Sequence, residues 1–221
     1  MSRKYILSSL GAQLRSLRRV LFLIYAPVVL TLVTMVLIRV TTGFPMADLT
    51  RDPLAVVQEP VYIGAVSNLG VLIWAAAATI CFFSYAVGRD RSAPNSNSRF
   101  LLYGGLITVM LLLDDFFMLH EVVFPDYVGI PENLVYAIYI SLIAWFLVWY
   151  RRRILEHTTF LLLILALSGF GLMVVMDILE YVNPLPGFYL LEDGFKLFAI
   201  VSWTAYFASV GARQLRGSNR E

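Results

Sequence analysis

The sequence predicts an all-α fold, a polytopic membrane bundle of six transmembrane helices with both termini cytoplasmic. Three observations predict it. First, the 221 residues are 59% hydrophobic and 14% charged, with a mean hydropathy of +0.76. A soluble domain carries about 25% charged residues, so there is too little polar surface here to clothe a soluble core. Second, six apolar segments, near 19–40, 61–87, 100–123, 133–150, 158–181 and 188–211, approach the ~20 residues that a helix needs to cross a hydrocarbon core. They are continuous apolar runs, not the alternating runs of a β-barrel. Third, fourteen of the seventeen basic residues fall on alternate connections and the two ends. By the positive-inside rule that side is cytoplasmic.

The same numbers exclude other classes. A chain this apolar is not disordered. A net charge of +2 gives no basic face, so nucleic acid is not an expected partner. Cys81 is the single cysteine, which rules out an internal disulfide framework or a thiolate cage. Its apolar setting suits a small buried hydrophobe.

Taken in order, residues 1–18 form a basic cytoplasmic segment. Ile6, Leu10, Leu14 and Leu17 recur at helical spacing, which fits either an interfacial amphipathic helix or a plain flank that fixes topology. It is not a cleaved signal peptide, since the apolar stretch that follows is too long. Residues 19–212 form the six-helix domain, and 213–221 a cytoplasmic tail. The loop 41–60 holds Pro45, Pro53 and Pro60, so no continuous helix runs through it; it is a lid or a connector. The loop 88–99, rich in Ser, Asn and Pro, reads as a cytoplasmic turn. The short turn at 183–187 makes spans five and six antiparallel neighbours. Trp and Tyr residues, Tyr136 and Tyr139 among them, read as interfacial anchors or packing residues. His157, beside three arginines and Glu156, reads as a solvated loop histidine.

The acidic residues run the opposite way. Twelve of fifteen lie in the outer loops or the outer ends of the spans, some in apolar context where a charge needs a partner or water. Span three contains LLLDDFFMLHEVVFP, with Asp114, Asp115, His120 and Glu121. Span five ends MDILEYVNP, with Asp177 and Glu180. Span six begins FYLLEDGFK, with Glu192, Asp193 and Lys196. On a regular helix Asp114 and Glu121 share a face, while Asp115 and His120 project to opposite flanks. Lys196 is spaced to pair with Glu192 or Asp193 on its own helix, or with an aspartate of span three. Crowded carboxylates either bind a cation or hold protons.

An oxygen-rich layer favours a hard divalent ion, Ca²⁺, Mg²⁺ or Mn²⁺ ahead of Zn²⁺, with Asp114, Asp115, Asp177, Glu180, Glu192 and Asp193 as its candidate ligands. His120 and Glu121 are the candidate catalytic proton shuttles, and Lys196 is the ion-pair cation. The zinc-protease motif H-E-x-x-H and the E-x-x-H pairs of di-iron bundles are absent. An acidic residue within a span resembles intramembrane metal hydrolases of the alkaline-ceramidase and adiponectin-receptor type. Their H-x-x-x-H pair is missing, so no residue is carried over. The sequence reading is an integral protein of the cell membrane whose outward-facing cluster binds a divalent cation, as a metal-dependent hydrolase or transferase acting on a lipid or other amphiphile. A cation- or proton-coupled transporter and a non-catalytic subunit or sensor are the alternatives. Membrane lipids and a homo-oligomer or larger membrane complex are the expected partners.

Overall fold

A computed structural model describes residues 3–89, 96–182 and 187–217, with side chains at positions 13, 16–88, 98–179 and 187–216. The described residues are helical, with no strand among them. Six helices are long and apolar enough to cross a membrane: Ser16–Thr42, Ala65–Gly88, Ser98–Phe117, Glu132–Trp149, Phe160–Leu179 and Phe188–Arg216. This all-helical fold, with six helices of membrane-crossing length, agrees with the sequence reading. The side chains of Ile6, Leu10 and Leu14, the connection at 90–95, most of the turn at 183–187 and the last four residues lie outside the described set. The chain divides into two compact units, Met1–Ile63 and Gly64–Glu221.

In the first unit, α1 (Arg3–Thr42) is one continuous helix, with Pro27 inside it. Within this unit its apolar side chains are exposed, Phe22 and Leu23 to 71% each. Gly43, at φ +78°, ends it, a conformation that glycine adopts without a Cβ clash. The proline-rich stretch then breaks into two five-residue helices, α2 (Met46–Thr50) and α3 (Pro53–Val57). Asp52 begins α3: its Oδ1 accepts from the amides of Leu54 at 2.9 Å and Ala55 at 3.3 Å, with Pro53 in the first turn. An aspartate cap before a first-turn proline satisfies amides that the helix itself leaves open.

The second unit holds α4 (Ala65–Arg89), α5 (Ser96–Phe117), a π-helical segment (Leu119–Val128), α6 (Glu132–Trp149), α7 (Arg151–His157), α8 (Phe160–Val182) and α9 (Phe188–Gly217). Small residues let the helices approach closely. Gly105 faces Cys81 across α4 and α5, Gly104 lies under the Phe207 ring, and Gly169 meets Ala199 across α8 and α9. The register of α8 and α9, with Gly169 at Ala199 and Thr158 at Tyr206, is antiparallel. The core is aromatic: Phe100, Phe146, Trp203, Tyr206 and Phe207 are fully buried. Trp203 donates its indole N–H to Thr108 at 2.9 Å, so the core leaves that polar edge satisfied. Cys81 is buried among these residues, as its apolar setting implied.

The third span departs from expectation. Instead of running on to residue 123, α5 stops at Phe117, and Met118 adopts a left-handed conformation at φ 51° and ψ 46°. The π-helical segment follows, with Pro125 inside it and Gly129, at φ 77°, closing it. Proline removes one backbone donor and crowds the preceding turn of an α-helix, so a regular α-helix through HEVVFPDYVG is disfavoured. Only the position of the break, at a methionine, has no signal in the sequence.

Candidate functional site

The last turn of α5 carries the adjacent pair Asp114 and Asp115. Neighbours on an α-helix point about 100° apart, and these two face different helices. Asp114, 6% exposed, looks toward the π-helical segment and α6. Its Oδ1 accepts from the His120 backbone N–H at 3.0 Å and from the Tyr139 hydroxyl at 2.9 Å. Its Oδ2 meets Nδ1 of His120 at 2.5 Å. One carboxylate thus satisfies a free amide at the start of the π-helical segment, orients the imidazole and ties α6 to α5. Three donors on one carboxylate make its burial tolerable.

The turn at Met118 makes this possible. A regular helix would carry His120 away from Asp114, whereas the left-handed residue doubles the chain back so that both the amide and the ring of His120 reach the carboxylate. The other ring nitrogen, Nε2, lies 3.0 Å from the Tyr136 hydroxyl and 3.4 Å from Oε1 of Glu121. The imidazole therefore sits between a buried carboxylate and one whose side chain is 55% exposed. Burial lowers the affinity of His120 for a proton. The hydrogen bond to Asp114 and the charges of Asp114, Glu121 and Glu132 more than offset that, and the pKa is raised above the ordinary 6.5. Around the ring stand Asp114 from α5, Glu121 from its own segment, and Glu132 and Tyr136 from α6. Asp177 of α8 lies within electrostatic reach of Tyr136.

Asp115 looks the other way and is ion-paired to Lys196 of α9. The Asp115 side chain is 6% exposed and that of Lys196 26%. Of the pairings that the sequence allowed Lys196, the one across helices is formed. Gly70 on α4 lies beside it: a Cβ there would meet Oδ2 of Asp115 at 3.8 Å, an ordinary contact, and the side chain of Ile200 more tightly at 3.2 Å. That oxygen of Asp115 is buried with no hydrogen-bond partner among the described residues. It borders a cavity of about 10 Å³, which Ser67, Gly70, Asp193 and Lys196 also line.

The expected single layer therefore resolves into two seams. Asp114, His120 and Glu121 form one; Asp115 and Lys196, with Asp193 close by, form the other. Asp177 is exposed, Glu192 is half-buried, and the side chain of Glu180 lies outside the described residues. Among the described residues, no three His, Cys, Asp or Glu side chains are placed to hold a metal ion. The physical reason is the angle between consecutive helix positions, together with a cation or a histidine that answers each aspartate separately. Tyr136 and Tyr139, read from sequence as anchors or packing residues, are hydrogen-bonding partners of the first seam. Their spacing of three on α6 puts them on one face, the one signal that pointed to a shared task.

A family model described as Domain of unknown function (DUF8692) matches residues 20–210. The chain belongs to this family. No curated protein and no solved structure matches it.

Proposed function

We propose that this member of the DUF8692 family is a proton-responsive membrane protein, a sensor or regulatory subunit, that takes up a proton at the acidic end of its bundle through Glu121, His120 and Asp114. One observation carries the reading: His120 bridges the exposed carboxylate of Glu121 and the buried carboxylate of Asp114, one on each ring nitrogen. In the neutral state Nδ1–H donates to Asp114 and Nε2 accepts from the Tyr136 hydroxyl. A proton arriving by way of Glu121 turns Nε2 into a donor, and the hydroxyl of Tyr136 must then accept. Because Tyr136 and Tyr139 hold the outer part of α6 to this seam, uptake of one proton changes how α6 is fastened. Beyond the seam the next hydrogen-bonding groups along α5, Thr108 and its partner Trp203, bond each other inside aromatic packing. That supports proton uptake from one side in preference to passage through the bundle.

The arrangement of basic and acidic residues supports an acidic end that faces outward from a cell membrane, with both termini cytoplasmic. The test is the ¹⁵N chemical shift of the His120 ring across pH in detergent or nanodiscs, assigned with His157→Gln. The expected result is titration above the ordinary histidine range, moved by Glu121→Gln. A ring that does not titrate between about pH 5 and 9 removes the proposal. Proton flux into sealed vesicles, abolished by His120→Gln, would replace it with the transport reading.

The divalent-cation enzyme has one observation in its favour, the unpartnered Oδ2 of Asp115 beside Asp193. Such an ion would use those two carboxylates and Ser67, polarise a carbonyl or phosphoryl oxygen of an amphiphile, and displace Lys196 from its pair. Metal analysis of the purified protein decides this. A bound divalent ion near one equivalent, lost in Asp193→Asn, supports the enzyme; its absence from protein purified with Ca²⁺, Mg²⁺ and Mn²⁺ present withdraws it.

A further inference from the structure

At the opposite end of the second unit, α7 and the last turns of α9 enclose a cavity of about 280 Å³, lined by Arg153, His157, Val210, Arg213 and Gln214. Its charge is one-sided. Two guanidinium groups and an imidazole face it, and among the described residues no carboxylate lines it. Arg153 is the informative residue. It is half-buried, with its guanidinium carbon 4.9 Å from the centroid of the Phe100 ring, and its Nε and Nη1 are buried with no hydrogen-bond partner among the described residues. Burial lowers its pKa, and among the described residues the groups that partly offset this are the hydroxyls of Tyr206 and Tyr150. A guanidinium held over an aromatic face, with two donors unanswered, calls for an anion.

Arg213 is held in place for the same task. Its Nη1 donates to the His157 carbonyl at 3.1 Å and its Nη2 to the Thr159 hydroxyl at 2.5 Å, which fixes the fork at the mouth of the cavity. Gln214 donates its amide to the Ser84 carbonyl at 3.0 Å, while its Oε1 is buried and, among the described residues, unpartnered. The lining therefore offers several donors for anionic oxygens and one acceptor for a ligand hydroxyl. The carboxylate of Glu156 lies 3.8 Å from Nε2 of His157, but both side chains are largely exposed, so that pair does not neutralise the arginines.

We propose that this cavity binds a phosphate group, with Arg153 and Arg213 as its charged donors. Planar guanidinium forks match phosphate oxygens pairwise. The cavity opens where the spans Glu132–Trp149 and Phe188–Arg216 end, the depth of lipid headgroups. The phosphate therefore comes either from an anionic lipid or from a soluble phosphate compound, and each source has its own arm in the test.

The intact protein is melted in detergent in phosphate or chloride of equal ionic strength, and in nanodiscs of phosphatidylcholine with or without phosphatidylglycerol. The expected result is a rise in Tm of about 5 °C with inorganic phosphate, phosphatidylglycerol or both. A rise with phosphatidylglycerol alone assigns a headgroup; a rise with inorganic phosphate as well assigns a site open to soluble phosphates. Arg153→Gln and Arg213→Gln should abolish the rise, and Arg216→Gln, outside the lining, should keep it. No rise in the wild type with either probe overturns the proposal without recourse to any variant. So does a rise that survives Arg213→Gln, or one that Arg216→Gln removes equally, since that would be surface charge alone.

Discussion

Asp114 and Asp115 share a chemistry and a helical turn, yet each has a different answer to its charge. Asp114 is surrounded by a histidine, an amide and a tyrosine, and Asp115 by a lysine. Removing one partner of a buried ion pair strands the other. Lys196→Met is expected to lower unfolding stability by about 3 kcal/mol, and adding Asp115→Leu to recover most of that loss, both read by denaturant or thermal melts. His120 sets a pH dependence whose sign follows from its raised pKa. Stability from the charged imidazole is fully present below the unfolded value of 6.5 and is lost as pH rises through the folded value. Wild-type Tm should therefore fall across that window, and His120→Gln should flatten the fall. An unchanged slope in the variant would assign the pH dependence elsewhere. At this scale the sequence showed which residue types matter but not their partners. D-D-x4-H-E announces an unusual polar group, but which atom meets which depends on a turn three residues after Asp115.

That turn is the element-scale feature that reading by periodicity missed. Regular helical geometry places His120 on the flank away from Asp115 and out of reach of Asp114; the left-handed Met118 brings it back. Pro125 and Gly129 mark irregular backbone ahead, but Met118 has no such mark, and its conformation is imposed by the contacts it allows. An exposed non-glycine residue at φ 51° is mildly strained. Met118→Gly is expected to be neutral or to stabilise by up to about 1 kcal/mol, and Met118→Val to destabilise, both in thermal melts. If Met118→Gly destabilised by more than that, the conformation would be set by side-chain packing. The helices that carry the seams are held by small residues. A Cβ on Gly104 would lie 2.3 Å from the Phe207 ring, so Gly104→Ala is expected to cost about 1–3 kcal/mol through overpacking. Glycines scattered through apolar runs permit close helix approach, but their positions alone do not say which residues they meet.

For the whole molecule, the number of spans was the most legible part, because the lengths and spacing of apolar runs are properties of composition and order. Six helices of membrane-crossing length follow from them directly. The orientation carries a prediction of its own. Fluorescent-protein fusions at either end should fluoresce in the cytoplasm and alkaline-phosphatase fusions should stay inactive; active phosphatase at either end would reverse the assignment. What composition did not reveal is that the acidic residues part into two polar seams and that the basic end holds a cavity. Both depend on which side chains converge when helices far apart in sequence pack together.

The neighbouring aspartates also have a mechanical consequence. Fastened on one side to the strand of chain that follows it and on the other to the final span, α5 is an axle keyed in two slots. Freeing one key lets the rod roll about the other, so a proton gained at His120 should be felt as strain at Lys196. A double-mutant cycle between His120→Gln and Lys196→Met would then be non-additive by at least about 0.5 kcal/mol, although the two side chains never touch.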